Sequence, residues 1–184
     1  MIIAIDGNHH VGKSTIINRL KEEYASRQDV VFFKFPSYTE FGNFARKSVN
    51  ENPIVTALLF GADYRKWFLD YIIPNNKNIV ILDRYLLSYY VFQGYLSGVD
   101  YSFLQMICNG IKYPDLQIVI HKKGDEQSAY ADDPFVIVAQ QLNQINQINE
   151  LHIVENILSG GKKINLEGYN KVKQIIDRVI YDKG

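Results

Sequence analysis

The amino-acid sequence predicts a three-layer α/β fold, a five-stranded parallel sheet with helices on both faces. Two observations predict it. Short apolar runs recur along the chain, as strands buried on both faces require. Longer stretches whose apolar residues recur at helical period separate them. In such a sheet the binding site lies at the carboxyl ends of the strands.

The elements follow in order. Ile2 to Asp6 reads as the first strand and Ser14 to Ser26 as the helix after it. Val30 to Phe35 is the second strand, Ile54 to Ile73 a long helical stretch, and Asn78 to Leu82 the third strand. Ser97-Gly98-Val99-Asp100 looks like a turn between helices, and Leu104 to Cys108 like an apolar helix face. Leu116 to His121 is the fourth strand. The segment Lys122 to Pro134 is polar, with Gly124 and Pro134 as breakers and acids at Asp125, Glu126, Asp132 and Asp133. It reads as a short lid, and a plain surface loop remains open as the other reading. In the Asn- and Gln-rich stretch Gln140 to Glu150, Leu142, Ile145 and Ile148 recur at three-residue spacing and predict a helix. Lys163 to Leu166 reads as the fifth strand and Tyr169 to Tyr181 as the last helix.

A chain of 184 residues suits one well-buried core, so a single domain over 1–184 is expected. Lys+Arg and Asp+Glu both total 20, and a balanced charge argues against nucleic acid as a partner. No basic stretch, apolar core and cleavage site mark an export signal, and no apolar run approaches membrane-spanning length. The lone Cys108 has no internal disulfide partner and sits among apolar residues as a core thiol. A cytoplasmic protein without membrane contact is expected.

The chemistry is concentrated in Gly7-Asn8-His9-His10-Val11-Gly12-Lys13-Ser14, which matches G-x-x-x-x-G-K-S and runs on into Thr15. Glycines let the backbone curl so that successive N–H groups face phosphate oxygens. Lys13 adds charge for the outer phosphates, and the Ser14 hydroxyl can hold Mg²⁺. The pattern should arise by chance in a chain this long on the order of once in two hundred. A strand before it and a helix after it supply the context the motif needs. The reading is a P-loop kinase fold binding ATP. His9 and His10 could touch phosphate or substrate, or be solvated; neither has metal-ligand partners at zinc spacing.

Asp83-Arg84-Tyr85 directly follows Ile79-Val80-Ile81-Leu82. That places Asp83 at a strand end beside the P-loop, where an acid can orient Mg²⁺, and Arg84 where a guanidinium can clamp a second phosphate. A surface ion pair is the alternative.

At this point the chain resembles the thymidylate kinase family over most of its length. The resemblance rests on the P-loop, on Phe35-Pro36 with Thr39-Glu40-Phe41-Gly42, and on Ala57-Leu58-Leu59-Phe60-Gly61-Ala62-Asp63. It continues through Asp83-Arg84-Tyr85 with Ser88 and Phe92-Gln93-Gly94, then Tyr113-Pro114-Asp115-Leu116. It implies ATP–Mg²⁺ as donor and a pyrimidine deoxynucleoside monophosphate, dTMP first, as acceptor. Lys13, Asp83 and Arg84 would be catalytic, with Ser14 and Asp83 at the metal. Pro36, Tyr38, Phe60, Tyr64, Arg65, Arg84, Ser88, Phe92 and Gln93 would surround the acceptor. Phe60 would stack on the base, Arg84 grip the monophosphate, and Phe92 pack against the sugar. Such kinases are commonly homodimers built through helix faces; Ile54 to Ile73 could serve, and one buried helix explains that stretch equally well.

Departures from the family are as informative. His9 stands where the family usually has an acid near the acceptor sugar, and Tyr64 where it often has a base-reading Arg, although Arg65 follows. Phe35-Pro36-Ser37-Tyr38 lacks the Arg of Phe-Pro-x-Arg. The transition-state Arg that the family keeps in the P-loop or lid is absent from both; His10 and the lid residues Lys122 and Lys123 are the nearest candidates. Two rivals follow: a deoxynucleoside kinase using Asp6 or Asp83 as base, and a nucleotide-binding protein that has lost catalysis.

Overall fold

The computed structural model describes residues 1–76, 78–122, 132–145, 147–156 and 166–181. Five strands form one sheet in the order β2-β3-β1-β4-β5. They are β1 (Ile2–Gly7), β2 (Val30–Lys34), β3 (Ile79–Asp83), β4 (Leu116–Lys122) and β5 (Leu151–Asn156). Every pairing is parallel. The helices are α1 (Lys13–Glu23), α2 (Glu40–Lys47), α3 (Pro53–Trp67), α4 (Leu86–Tyr89), α5 (Tyr101–Cys108), α6 (Pro134–Gln144) and α7 (Leu166–Tyr181). Wider π-type turns carry α3 on through Phe68–Ile72 and α4 on through Tyr90–Leu96.

Alternation along the strands divides the core into two layers. On one face Ile2, Ala4, Val80, Leu82 and Val119 pack with buried residues of α3 to α6, among them Trp67, Leu86, Leu104 and Phe135. On the other, Ile3, Ile5, Ile81, Ile118 and Ile120 pack with Ile16, Ile17 and Leu20 of α1 and Val172 and Ile176 of α7. A strand with both faces covered cannot alternate apolar with polar, which is why β1, β3 and β4 read as apolar runs.

The first four strands agree with expectation to within a residue or so, and the fifth does not. The fifth strand is Leu151–Asn156, paired with β4 from Gln117↔Leu151 to Lys122↔Asn156. Of the segment Lys163 to Leu166, residues 163–165 lie outside the described residues and Leu166 opens α7. The helix expected over Gln140 to Glu150 ends at Gln144, and its apolar triplet splits: Leu142 is buried in α6, Ile145 is 56% exposed, and Ile148 is buried beyond the helix. Most of the expected lid likewise lies outside the described residues. Its two ends meet, with His121 Nδ1 2.7 Å from Asp133 Oδ2, and Asp133 also caps α6 by accepting from Phe135 N.

The stretch Ile54 to Ile73 is not a wholly buried helix. Ile54, Val55, Leu58, Leu69, Tyr71 and Ile73 are exposed, whereas Thr56, Ala57, Gly61, Asp63, Tyr64 and Trp67 face inward. No helix among the described residues is long and apolar enough to cross a membrane.

Candidate active site

The site lies where β1, β2 and β3 end. β1 runs into a loop that only glycine can start: Gly7 has φ 152°, and a Cβ there would lie 2.3 Å from the Ile120 carbonyl oxygen. Gly12, with φ 83°, caps α1 from the left-handed region. Between them the loop leads into the first turn of α1, where Thr15 N and Ile16 N donate to the Gly12 carbonyl and the N–H groups of Lys13 and Ser14 precede the first intrahelical bonds. The N-terminus of a helix favours anions through those groups and its dipole.

Asn8 to Thr15 line a cleft of about 370 Å³ together with Lys34 and Arg84. Lys13 lies at its floor, 7% exposed, with Nζ 2.7 Å from Asp83 Oδ1. Burial lowers the Lys13 pKa, the Arg84 charge adds to that, and the ion pair with Asp83 opposes both. The second oxygen of Asp83 lies 3.4 Å from Lys34 Nζ, so two ammonium groups straddle one carboxylate.

A second cavity of about 350 Å³ adjoins the first and is mostly apolar: Phe35, Pro36, Val49, Phe60, Tyr64, Tyr89, Phe92 and Leu96 form much of its wall. His9 and Arg84 line both spaces. Arg84 has φ 69°, a conformation that costs a residue with a side chain about 1–3 kcal/mol and concentrates at functional sites. Its Nη1 donates to Ser88 Oγ at 3.1 Å, and its guanidinium lies 5.4 Å from the Phe92 ring and 5.7 Å from that of Phe135. Ser88 in turn donates to Asp6, which also accepts from Gln117 Nε2 at 3.1 Å and from Tyr85 N at 3.3 Å. Burial raises the Asp6 pKa, against the pull of these partners and of Arg84. Partial burial, then the charges of Arg84, His10 and Lys13, lowers the His9 pKa.

The expected acceptor residues divide. Pro36, Phe60, Arg84, Ser88, Phe92 and Gln93 line the second cavity. Gln93 is 6% exposed, and its Oε1 is a buried atom without a hydrogen-bond partner. Tyr64 also lines the cavity, but as wall: its ring stacks on Phe35 at 4.2 Å and its hydroxyl donates to the Tyr85 carbonyl. Tyr38 is 77% exposed and outside the lining, with the Arg46 guanidinium 5.4 Å from its ring. Arg65 is elsewhere, its guanidinium donating to the carbonyls of Ile107 and Asn109 at the end of α5. Lys122 ends β4 and lines neither space; Lys123 is outside the described residues.

Arg46 and Lys34 line these spaces and are not among the expected residues. Arg46, in the last turn of α2, lines the second cavity and donates to the Pro36 carbonyl at 2.9 Å. Its sequence surroundings are those of any amphipathic surface helix, so nothing there marks it. Lys34 did carry a signal, since it ends a strand in register with Asp83.

The family model for thymidylate kinase matches residues 5–150 of this chain. The chain belongs to the thymidylate kinase family. Among relatives, the thymidylate kinase of Staphylococcus haemolyticus is 30% identical over 128 residues, covering 64% of this chain and 63% of that protein. The probable thymidylate kinase 1 of Saccharolobus solfataricus is 32% identical over 122 residues, covering 65% of this chain and 64% of that protein. The chain thus spans less than two thirds of the length of these two relatives. A crystal structure of thymidylate kinase from Ehrlichia chaffeensis superposes with a TM-score of 0.75 over 96% of this chain and 98% of that one, at 22% identity, which is a likeness of fold. The thymidylate kinase match takes in the end of β1, the P-loop and every residue that lines the second cavity.

Proposed function

We propose that this protein transfers the γ-phosphoryl group of ATP to a pyrimidine deoxynucleoside monophosphate, with dTMP the first choice, giving ADP and dTDP. The observation that carries the reading is the pair of adjoining spaces sharing Arg84: a P-loop cleft beside a flat-walled aromatic cavity. Phosphoryl transfer asks mainly for positioning and charge stabilisation, and two phosphates meeting at one guanidinium meet that demand.

In this reading the loop from Gly7 to Thr15 holds the donor phosphates, and Lys13 leaves Asp83 for them. Arg84, held by Ser88 and by the faces of two rings, grips the acceptor phosphate. Phe60 stacks on the base and Phe92 borders the sugar. The buried unpaired Gln93 Oε1 supports its amide as the group that reads the base edge, because an orphaned acceptor costs about 1–3 kcal/mol until a ligand satisfies it. Tyr64, with its hydroxyl already used, contributes shape only.

Mg²⁺ fits the donors present. Among the described residues no three His, Cys, Asp or Glu side chains cluster as a metal cage. A cleft with the Ser14 hydroxyl and the Asp83 carboxylate nearby suits an ion that takes one or two protein oxygens and otherwise phosphate and water. Bound there, Mg²⁺ would neutralise charge on the donor's phosphates. A cytoplasmic setting, with both nucleotides at hand, goes with this reading.

The nucleoside-kinase alternative needs a carboxylate facing an acceptor hydroxyl. No Asp or Glu is among the described residues lining the acceptor cavity, Asp83 included, and Asp6 is fully buried behind Ser88 and Gln117. An acceptor that brings its own ionised phosphate needs no such base.

Phe60→Ala is expected to raise the KM for dTMP by about 5- to 30-fold, the loss of roughly 1–2 kcal/mol of ring stacking, with the KM for ATP nearly unchanged. Steady-state titration of each substrate decides it, and an equal rise in both would remove Phe60 from the acceptor side.

A further inference from the structure

The phosphate cleft contains a cation for which the resemblance assigns no role. Lys34 ends β2, opposite Asp83 in the β2–β3 register, and its side chain is 43% exposed. It lines the cleft, while the next two residues, Phe35 and Pro36, line the acceptor cavity. The backbone therefore passes from one space to the other between residues 34 and 35, at the border where the two phosphates would meet.

The other described cations of the cleft are more firmly held. Lys13 is 7% exposed and tied to Asp83 at 2.7 Å. Arg84 is tethered to Ser88 and lies over two aromatic rings. The Lys34 ammonium meets Asp83 at 3.4 Å on a largely solvated stem, which leaves it able to swing. Lys122, the described cation of the lid segment, ends β4 in register with Asn156 of β5, with β3 and β1 lying between it and Lys34 on β2.

We infer that Lys34 is a catalytic residue that supplies the charge which the P-loop and lid of this chain lack in the form of arginine. The inference rests on the kinase reading above. During transfer an oxygen of the acceptor phosphate bonds to the γ-phosphorus, and the bond from that phosphorus to the β–γ bridging oxygen breaks. The electron pair of that bond stays on ADP, and an acceptor phosphate already ionised gives up no proton. Negative charge thus shifts between two phosphates at the border of the spaces, and the Lys34 ammonium leaves Asp83 to meet it. Lysine is a point charge without the planar fork of arginine, so the rate it supports is below that of an arginine-equipped enzyme.

The test compares wild type, Lys34→Met and Lys34→Arg in ATP-to-dTMP transfer with Mg²⁺. Lys34→Met should lose about 100-fold or more in kcat with both KM values within about threefold, and Lys34→Arg should restore most of the rate. A second measurement reads binding: calorimetry of ADP and dTMP with and without aluminium fluoride, a mimic of the transferring group. Wild type should gain affinity when the fluoride is present, and Lys34→Met should lose that gain. An unchanged kcat, a loss confined to KM, or an equal fluoride gain in both proteins would overturn the assignment while leaving the kinase reading intact. Absence of both turnover and fluoride gain in wild type would overturn the kinase reading, and the assignment with it.

Discussion

Lys13→Ala is expected to abolish phosphoryl transfer, by about a thousandfold or more, and to leave the protein folded. The rate falls because the ammonium is the deepest positive charge in the cleft, and a preorganised cation facing developing phosphate charge contributes more to catalysis than most other effects. The fold is a separate question, because removing one partner of a buried ion pair ordinarily strands the other. Here Asp83 keeps a second cation, Lys34, at 3.4 Å from its other oxygen. Transfer assays beside circular dichroism and a thermal melt separate the two effects. A folded Lys13→Ala protein with wild-type rates would end the P-loop mechanism.

Arg84→Ala should weaken dTMP binding by about 10- to 100-fold, the loss of a bidentate charged contact of roughly 1.5–3 kcal/mol, and ATP binding by much less. Arg84 borders both spaces, so its position alone leaves the balance open. Its restraints decide it. Ser88, which is bonded to Asp6, and Phe92 hold the guanidinium from the cavity proposed for the acceptor, and in the proposed reading Lys13 and the loop amides serve the donor without it. Separate calorimetric titrations of dTMP and ATP measure each loss; equal losses would place Arg84 on the donor.

What the sequence revealed of this protein follows from which physical signals are local. The P-loop was legible because its glycines answer a backbone requirement that little else meets, as Gly7 shows by its contact with Ile120. Strands β1, β3 and β4 were legible because both their faces are buried, and β2, at one edge of the sheet, because Val30 to Phe33 is an unbroken apolar run. β5 lies at the sheet edge and carries His152, Glu155 and Asn156 among its apolar residues, so its run was broken. The acceptor cavity was partly legible, through residues near the ends of strands. Tyr38 and Arg65 sit beside site residues in sequence and point elsewhere, since a helix or loop turns neighbours to different sides. Arg46 reaches the cavity from α2, a placement set by packing over long sequence distance. Lys34 needed only the strand-end rule already applied to Asp83.

The central claim is that the acceptor brings its own phosphate, and the most direct measurement is dTDP formation from ATP and dTMP beside thymidine as the alternative acceptor. Chromatography of the products gives both rates at equal concentrations. The expected result is dTDP with matching ADP release, pyrimidine monophosphates ahead of purine ones, and no phosphorylation of thymidine. Conversion of thymidine to dTMP in preference, or ATP bound with no acceptor turned over, would contradict it.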